Sequence, residues 1–116
     1  MCHVLVIEDE PLIADHIGYI AEQAGATSVA YAYTEGEAMA CSRERVPDVI
    51  LSDVNLKAGG TGPRAVAAIR AASGDVPVIF ITGTPEECEP CEYAAAILGK
   101  PLQEEQIRRA FVAVVP

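Results

Sequence analysis

Residues 3–25, HVLVIEDEPLIADHIGYIAEQAG, change character in the middle. His3 to Ile7 is a continuous apolar run rich in β-branched side chains and too short for a buried helix, so it reads as a strand covered on both faces. Carboxylates follow at Glu8, Asp9 and Glu10. Pro11 then suits a first helical turn, Ile13, Ile17, Ile20 and Ala24 recur at i, i+4, i+7 and i+11, and Gly25 closes the pattern as a C-cap. A strand, an acidic turn and an amphipathic helix make one unit.

The unit repeats along the chain. Val49 to Leu51 with its flanks (DVILSD) and Val76 to Ile81 (VPVIFI) are further continuous apolar runs, and residues 27–33, TSVAYAY, alternate enough to lie nearer a sheet edge. Ala94 to Leu98 is a fifth, less marked strand. Thr34 and Glu37 have capping-box spacing ahead of a second helix that Pro47 must stop. A third runs from about Pro63 to the Ser73-Gly74 break, and a last one carries Ile107, Ala110, Phe111 and Val114 on one face. Alternation of this kind predicts an α/β fold with right-handed crossovers and helices on both faces of a parallel sheet.

With 116 residues, about half of them apolar, the chain has room for one hydrophobic core, and residues 1–116 read as one domain. The formal charge is -9 and the eight Lys and Arg are scattered without a run. Nucleic acid and anionic membranes would be repelled, so neither is an expected partner. No apolar run approaches the ~20 residues of a membrane span, and acidic residues stand where a secretory signal would continue its apolar core. The expected compartment is the cytoplasm, where Cys2, Cys41, Cys88 and Cys91 would be thiols.

In open parallel sheets ligands sit beyond the carboxyl ends of the strands. Those ends here are Glu8-Asp9, Ser52-Asp53, Thr82-Gly83 and Gly99-Lys100-Pro101. Three carboxylates, a hydroxyl and a lysine would therefore converge on one rim, although they run from position 8 to position 100. Clustered carboxylates repel one another, and a hard divalent cation such as Mg2+ relieves this with oxygen ligands. Thr82 and Lys100 add a hydroxyl donor and a fixed positive charge that would hold phosphoryl oxygens beside a carboxylate nucleophile. Singly, each has a bland reading as a solvated loop residue. Jointly, they read as a phosphoryl-acceptor site.

From about His3 to Val114 the sequence resembles the receiver domain of two-component response regulators. VLVIEDEPLIA, the Asp in ILSDVNL, the Thr in FITG and the Lys-Pro at 100–101 carry the likeness. Within that family it is similar to receivers of alphaproteobacterial general-stress regulators and their single-domain relatives: Phe80, Thr82 and Gly83 match an F-x-T-G pattern, and NLKAGGTG resembles their Gly-rich loop. The resemblance implies a CheY-like, flavodoxin-like (βα)5 fold, doubly wound, with strand order 2-1-3-4-5 and an irregular or shortened fourth helix. It implies that Asp53 takes a phosphoryl group from the phosphohistidine of a sensor histidine kinase or phosphotransfer protein. Asp9 and Asp53 would bind Mg2+ directly, Glu8 through water and Asn55 through its carbonyl, while Thr82, with Gly83 beside it, and Lys100 meet the phosphoryl group. Such a chain is a signalling protein rather than an enzyme and acts through protein contacts, including a downstream target. Because strand one begins so near Met1 and nothing follows Pro116, a stand-alone regulator is the expectation.

Two features depart from the common type. The position three before Lys100, ordinarily an aromatic switch, is Ile97, so a Thr-aromatic rotation has no aromatic to move. Pro85 and Pro90 disrupt the helix between strands four and five, and phosphorylation is expected to act by ordering residues 83–96. Competing readings are weaker. Cys88-Glu-Pro-Cys91 has a redox spacing, but its four neighbouring carboxylates would raise the thiol pKa, and no second close pair completes a zinc site. Asp53-Val54-Asn55 resembles the D-x-D motif of haloacid-dehalogenase-like phosphatases with the second acid missing. A pseudo-receiver is disfavoured because Glu8, Asp9, Asp53, Thr82 and Lys100 are all present. The four tyrosines and two histidines read as packing or surface residues.

Overall fold

The apolar run at His3–Ile7 forms β1, every residue of it buried. It is followed by α1 (Pro11–Gln23), β2 (Ser28–Ala32), α2 (Glu35–Glu44), β3 (Val49–Ser52), β4 (Asn55–Leu56), β5 (Gly60–Thr61), α3 (Gly62–Ser73), β6 (Val78–Thr82), β7 (Ala96–Gly99) and α4 (Glu104–Val114). The structure is a computed structural model, and it describes residues 1–57, 60–83 and 93–115. The main sheet has five strands in the order β2-β1-β3-β6-β7, all paired in parallel. This is the doubly wound order 2-1-3-4-5 once β4 and β5, which form a separate antiparallel hairpin, are set aside.

Burial follows the sequence pattern. The three central strands, β1, β3 and β6, are buried throughout, because helices cover both faces and leave no side for polar residues. At the edge, β2 is only partly buried up to Ala32, as its alternation predicted. Successive side chains of a strand point to opposite faces, so each strand feeds two cores. Leu5, Ile7, Ile50 and Phe80 pack with Ala38 of α2 and Val66 and Ile69 of α3. Val4, Val6, Leu51, Ile79 and Ile81 pack with Ile17 and Ile20 of α1 and Ile107 and Phe111 of α4.

Local capping fixes where the helices start. Thr34 Oγ1 accepts the Glu37 N–H at 3.0 Å, and Glu37 Oε1 accepts the Tyr33 N–H at 2.8 Å. The expected box thus closes one residue further back than the usual N-cap amide. Thr61 Oγ1 accepts the Arg64 N–H at 3.2 Å and starts α3. The second helix ends at Glu44, before Pro47 is reached.

Two strands are shifted along the chain and one hairpin is added. The run at 76–81 becomes a strand only from Val78 to Thr82, after Pro77, which has no N–H to give to a ladder. The run at 94–98 pairs from Ala96 to Gly99, with the Ala95 N–H already bonded to the Val78 carbonyl at 2.8 Å. The β4–β5 hairpin had no apolar alternation to announce it. The expected irregular fourth helix and the Cys88–Cys91 pair lie outside the described residues, as does most of the 83–96 loop.

Candidate functional site

Residues from the carboxyl ends of β1, β3, β6 and β7 line one cleft of about 160 Å3, together with loop residues: Glu8, Asp9, Asp53, Asn55, Thr82, Gly83 and Lys100 among them. The parallel registers bring them level. Ile7 pairs with Ser52, Ser52 with Phe80, and Thr82 with Gly99. The backbone continues these ladders past the strand ends, with the Asp53 N–H bonded to the Ile7 carbonyl at 2.8 Å and the Lys100 N–H to the Thr82 carbonyl at 2.8 Å. The rim expected from the strand ends is thereby assembled.

Its centre is an ammonium between two carboxylates. Lys100 Nζ lies 2.8 Å from Glu8 Oε1 and 3.0 Å from Asp53 Oδ2. Glu8 is fully buried and Asp53 nearly so. Each carboxylate also takes a backbone donor, the Glu10 N–H at 3.1 Å for Glu8 Oε2 and the Val54 N–H at 2.7 Å for Asp53 Oδ1. Burial pushes the Glu8 carboxyl up, against the pull of Lys100, and the nearby Asp53 pushes it further. Burial draws Lys100 down, but its bonds to Glu8 and Asp53 outweigh this and hold it above its ordinary value. The two directions have different causes: lost hydration outweighs Lys100 at the buried Glu8, whereas two anionic partners outweigh lost hydration at Lys100. Lys100 stays charged throughout the physiological range.

Asp9 is half-buried, and its Oδ2 accepts the Lys57 N–H at 2.8 Å. The Lys57 ammonium lies 3.0 Å from Glu10 at the mouth of the cleft. Carboxylate oxygens of Glu8, Asp9 and Asp53 come within 4.8 Å of one another. Three anionic oxygen donors at this spacing fit a hard divalent cation such as Mg2+. Thr82 is buried against the same cleft and Gly83 is exposed at its edge.

Three residues of this neighbourhood had no role assigned from sequence, although Gly62 and Lys57 stand in the NLKAGGTG stretch. Gly62 N–H bonds to the Val54 carbonyl at 2.9 Å, and a Cβ on Gly62 would collide with the Asp53 carbonyl and the Ser52 hydroxyl. Only the absence of a side chain lets α3 begin so close to Asp53. The run of glycines at 59, 60 and 62 was a signal that some close approach existed. Lys57 and Glu35, which grip the hairpin, carried no such signal.

Residues 4–111 match the family of response regulator receiver domains. The chain belongs to that family. The receiver is 36% identical over 107 residues to the phyllosphere-induced regulator PhyR of Methylorubrum extorquens, covering 90% of this chain and 40% of that protein. It therefore spans well under half the length of this curated relative. The solution structure of the PhyR receiver domain of Erythrobacter litoralis superposes with a TM-score of 0.82 at 31% identity, over 97% of this chain and 88% of that one. The crystal structure of PhyR from Brucella abortus gives 0.85 at 30% identity, over 98% of the receiver and 47% of the other chain. These PhyR relatives agree with the subgroup expected from F-x-T-G.

Other expectations about single residues can be placed beside the site. Ile97 stands on β7, paired in register with Phe80, and is exposed. Tyr93 and Phe80 meet in a T-shaped contact with centroids 6.2 Å apart, and the Arg70 guanidinium lies 4.8 Å over the Tyr93 ring. Tyr31 packs its hydroxyl against Gly18 of α1, and His16 sits on the exposed face of α1, 2.8 Å from Glu104. Cys2 and Cys41 are free thiols, pushed up first by burial. Among the described residues, no helix is long and apolar enough to cross a membrane.

Proposed function

We propose that residues 1–116 form one phosphoacceptor receiver that takes a phosphoryl group on Asp53 from the phosphohistidine of a sensor histidine kinase or a phosphotransfer protein. The observation that carries this reading is the Lys100 ammonium held between Glu8 and Asp53 at 2.8 and 3.0 Å. A cation fixed there favours a site where three phosphoryl oxygens gather charge in the transition state. An Asp53 oxygen attacks phosphorus in line as the P–N bond breaks, and the imidazole leaves with the bonding pair and takes up a proton. Asp9, Asp53, Glu8 and the Asn55 carbonyl would hold Mg2+, which supplies further neutralisation of that charge when bound. Lys100 moves with the new phosphoryl oxygens, and the Thr82 hydroxyl donates to one of them.

The fixed charges make the domain a promoter of its own phosphorylation, so the donor need only present its phosphoryl group. The receiver would then signal in the cytoplasm, by protein contacts with a downstream target. The PhyR relative from Bartonella quintana, of which this chain covers 48%, is an anti-anti-sigma factor. Another PhyR relative, of which this chain covers 44%, is a stress response regulator, so a protein target in a stress pathway is a natural candidate.

Incubation with acetyl phosphate and Mg2+, read by intact mass, tests the assignment. A single phosphoryl adduct is expected in the wild type and none in Asp53→Asn. No wild-type adduct, or one that persists in the variant, would overturn it.

A further inference from the structure

The hairpin beyond the acceptor strand is gripped from two sides. On the inner side, the Lys57 N–H following β4 holds Asp9 Oδ2. On the outer side, β5 meets the first turn of α2. Gly60 has a φ of 92°, in the left-handed region, and the Glu35 carboxylate occupies the space in which a Cβ on Gly60 would stand. Glu35 Oε2 accepts the Thr61 N–H at 3.2 Å, and its Oε1 lies 3.6 Å from Arg64 Nε. The Glu35 side chain is 27% exposed, which shields these contacts from much of the solvent.

Two strands of two residues each make a hairpin with little stability of its own. Its geometry must come from outside contacts. The register Asn55↔Thr61 and Leu56↔Gly60 ties whatever holds Thr61 and Gly60 directly to the strand carrying Asn55. Lys57, next in the chain, carries the bond to Asp9.

We propose that Glu35 is a positioning residue for the acceptor site, acting through the β4–β5 hairpin on Asn55, Lys57 and Asp9. The inference rests on the phosphoacceptor reading. Glu35 touches neither the reacting atoms nor the cation ligands. It holds the backbone that aims them, much as outer groups orient metal ligands elsewhere.

The test uses the whole chain with Glu35→Ala, Glu35→Gln and Gly60→Ala. In Glu35→Ala, the Mg2+ concentration for half-maximal phosphorylation by acetyl phosphate should rise on the order of tenfold, with the plateau rate kept. In the metal-free protein, the Lys57 amide should exchange faster with solvent, since its bond to Asp9 is loosened. Glu35→Gln keeps a carbonyl acceptor for the Thr61 N–H and should restore both readings. Gly60→Ala, whose Cβ expels the Glu35 carboxylate and also strains the hairpin at a φ of 92°, should raise the Mg2+ requirement at least as far as Glu35→Ala does. Wild-type values in Glu35→Ala, or Glu35→Gln behaving like Glu35→Ala, would overturn the proposal. A wild type that takes no phosphoryl group would remove the parent reading and this one together, whereas an active wild type with an indifferent Glu35→Ala removes this one alone.

Discussion

Lys100 and Glu8 show how much a single contact can carry. Glu8 is fully buried, and the Lys100 side chain is 21% exposed, so their pair lies mostly out of water. Breaking such a pair from one side leaves a buried charge without compensation. Lys100→Met should therefore lower the unfolding free energy by about 3 kcal/mol without added divalent cation, the low end of the range because Glu8, already pushed up, can protonate. Adding Glu8→Gln in the same chain should recover most of that loss. Urea unfolding of the single and double variants measures both, and an additive double variant would contradict the coupling. At this scale the sequence was legible where chemistry announces itself: Glu8, Asp9, Asp53, Asn55, Thr82, Gly83 and Lys100 all line one cleft. It was silent on Glu35, an ordinary acidic residue in a first helical turn whose role depends on a glycine 25 positions away.

At the scale of elements, the central strands were readable because burial on both faces demands an unbroken apolar run, and β1, β3 and β6 have one. Strand β1 also carries a titration of its own. His3 is buried with its Nδ1 2.7 Å from Ser28 Oγ on β2, and burial, followed by the nearby Arg45 and against Asp48, holds its pKa below the ordinary value. The native state then binds fewer protons than the unfolded chain, so stability from this group is fully present above about pH 6.5 and falls as pH drops through the native pKa. One proton contributes a slope of at most about 1.4 kcal/mol per pH unit. His3→Asn should flatten the fall below about pH 6.5 in denaturant unfolding, and an unchanged slope would assign the acid sensitivity elsewhere. The hairpin was the element sequence could not show. Its strands are too short for any period, and tertiary contacts give it a fixed place: the bonds to Asp9 and Glu35 and the burial of Leu56 in the core.

For the molecule as a whole, a net charge of -9 with three carboxylates gathered on one rim makes cation binding a stabilising event. Any ion that binds the native state and not the unfolded chain adds RT ln(1 + [L]/Kd), about 2.7 kcal/mol at a hundredfold excess over Kd. Mg2+ should raise the melting temperature well beyond K+ at equal ionic strength, chelation should reverse it, and Asp9→Asn should abolish most of the difference. Equal responses to both ions would reduce the effect to charge screening.

The order of strands and helices, the two-sided burial of the central strands and the identity of the rim residues were set by the sequence itself, since local period and strand-end chemistry are written in consecutive residues. Which of those residues touch was decided only by the tertiary structure. The 2.8 Å contact between Lys100 and Glu8, the fit of Gly62 against the Asp53 carbonyl and the seat of Glu35 on Gly60 all join segments far apart in the chain. Parallel pairing brings those segments level, and no local pattern records the distance between them.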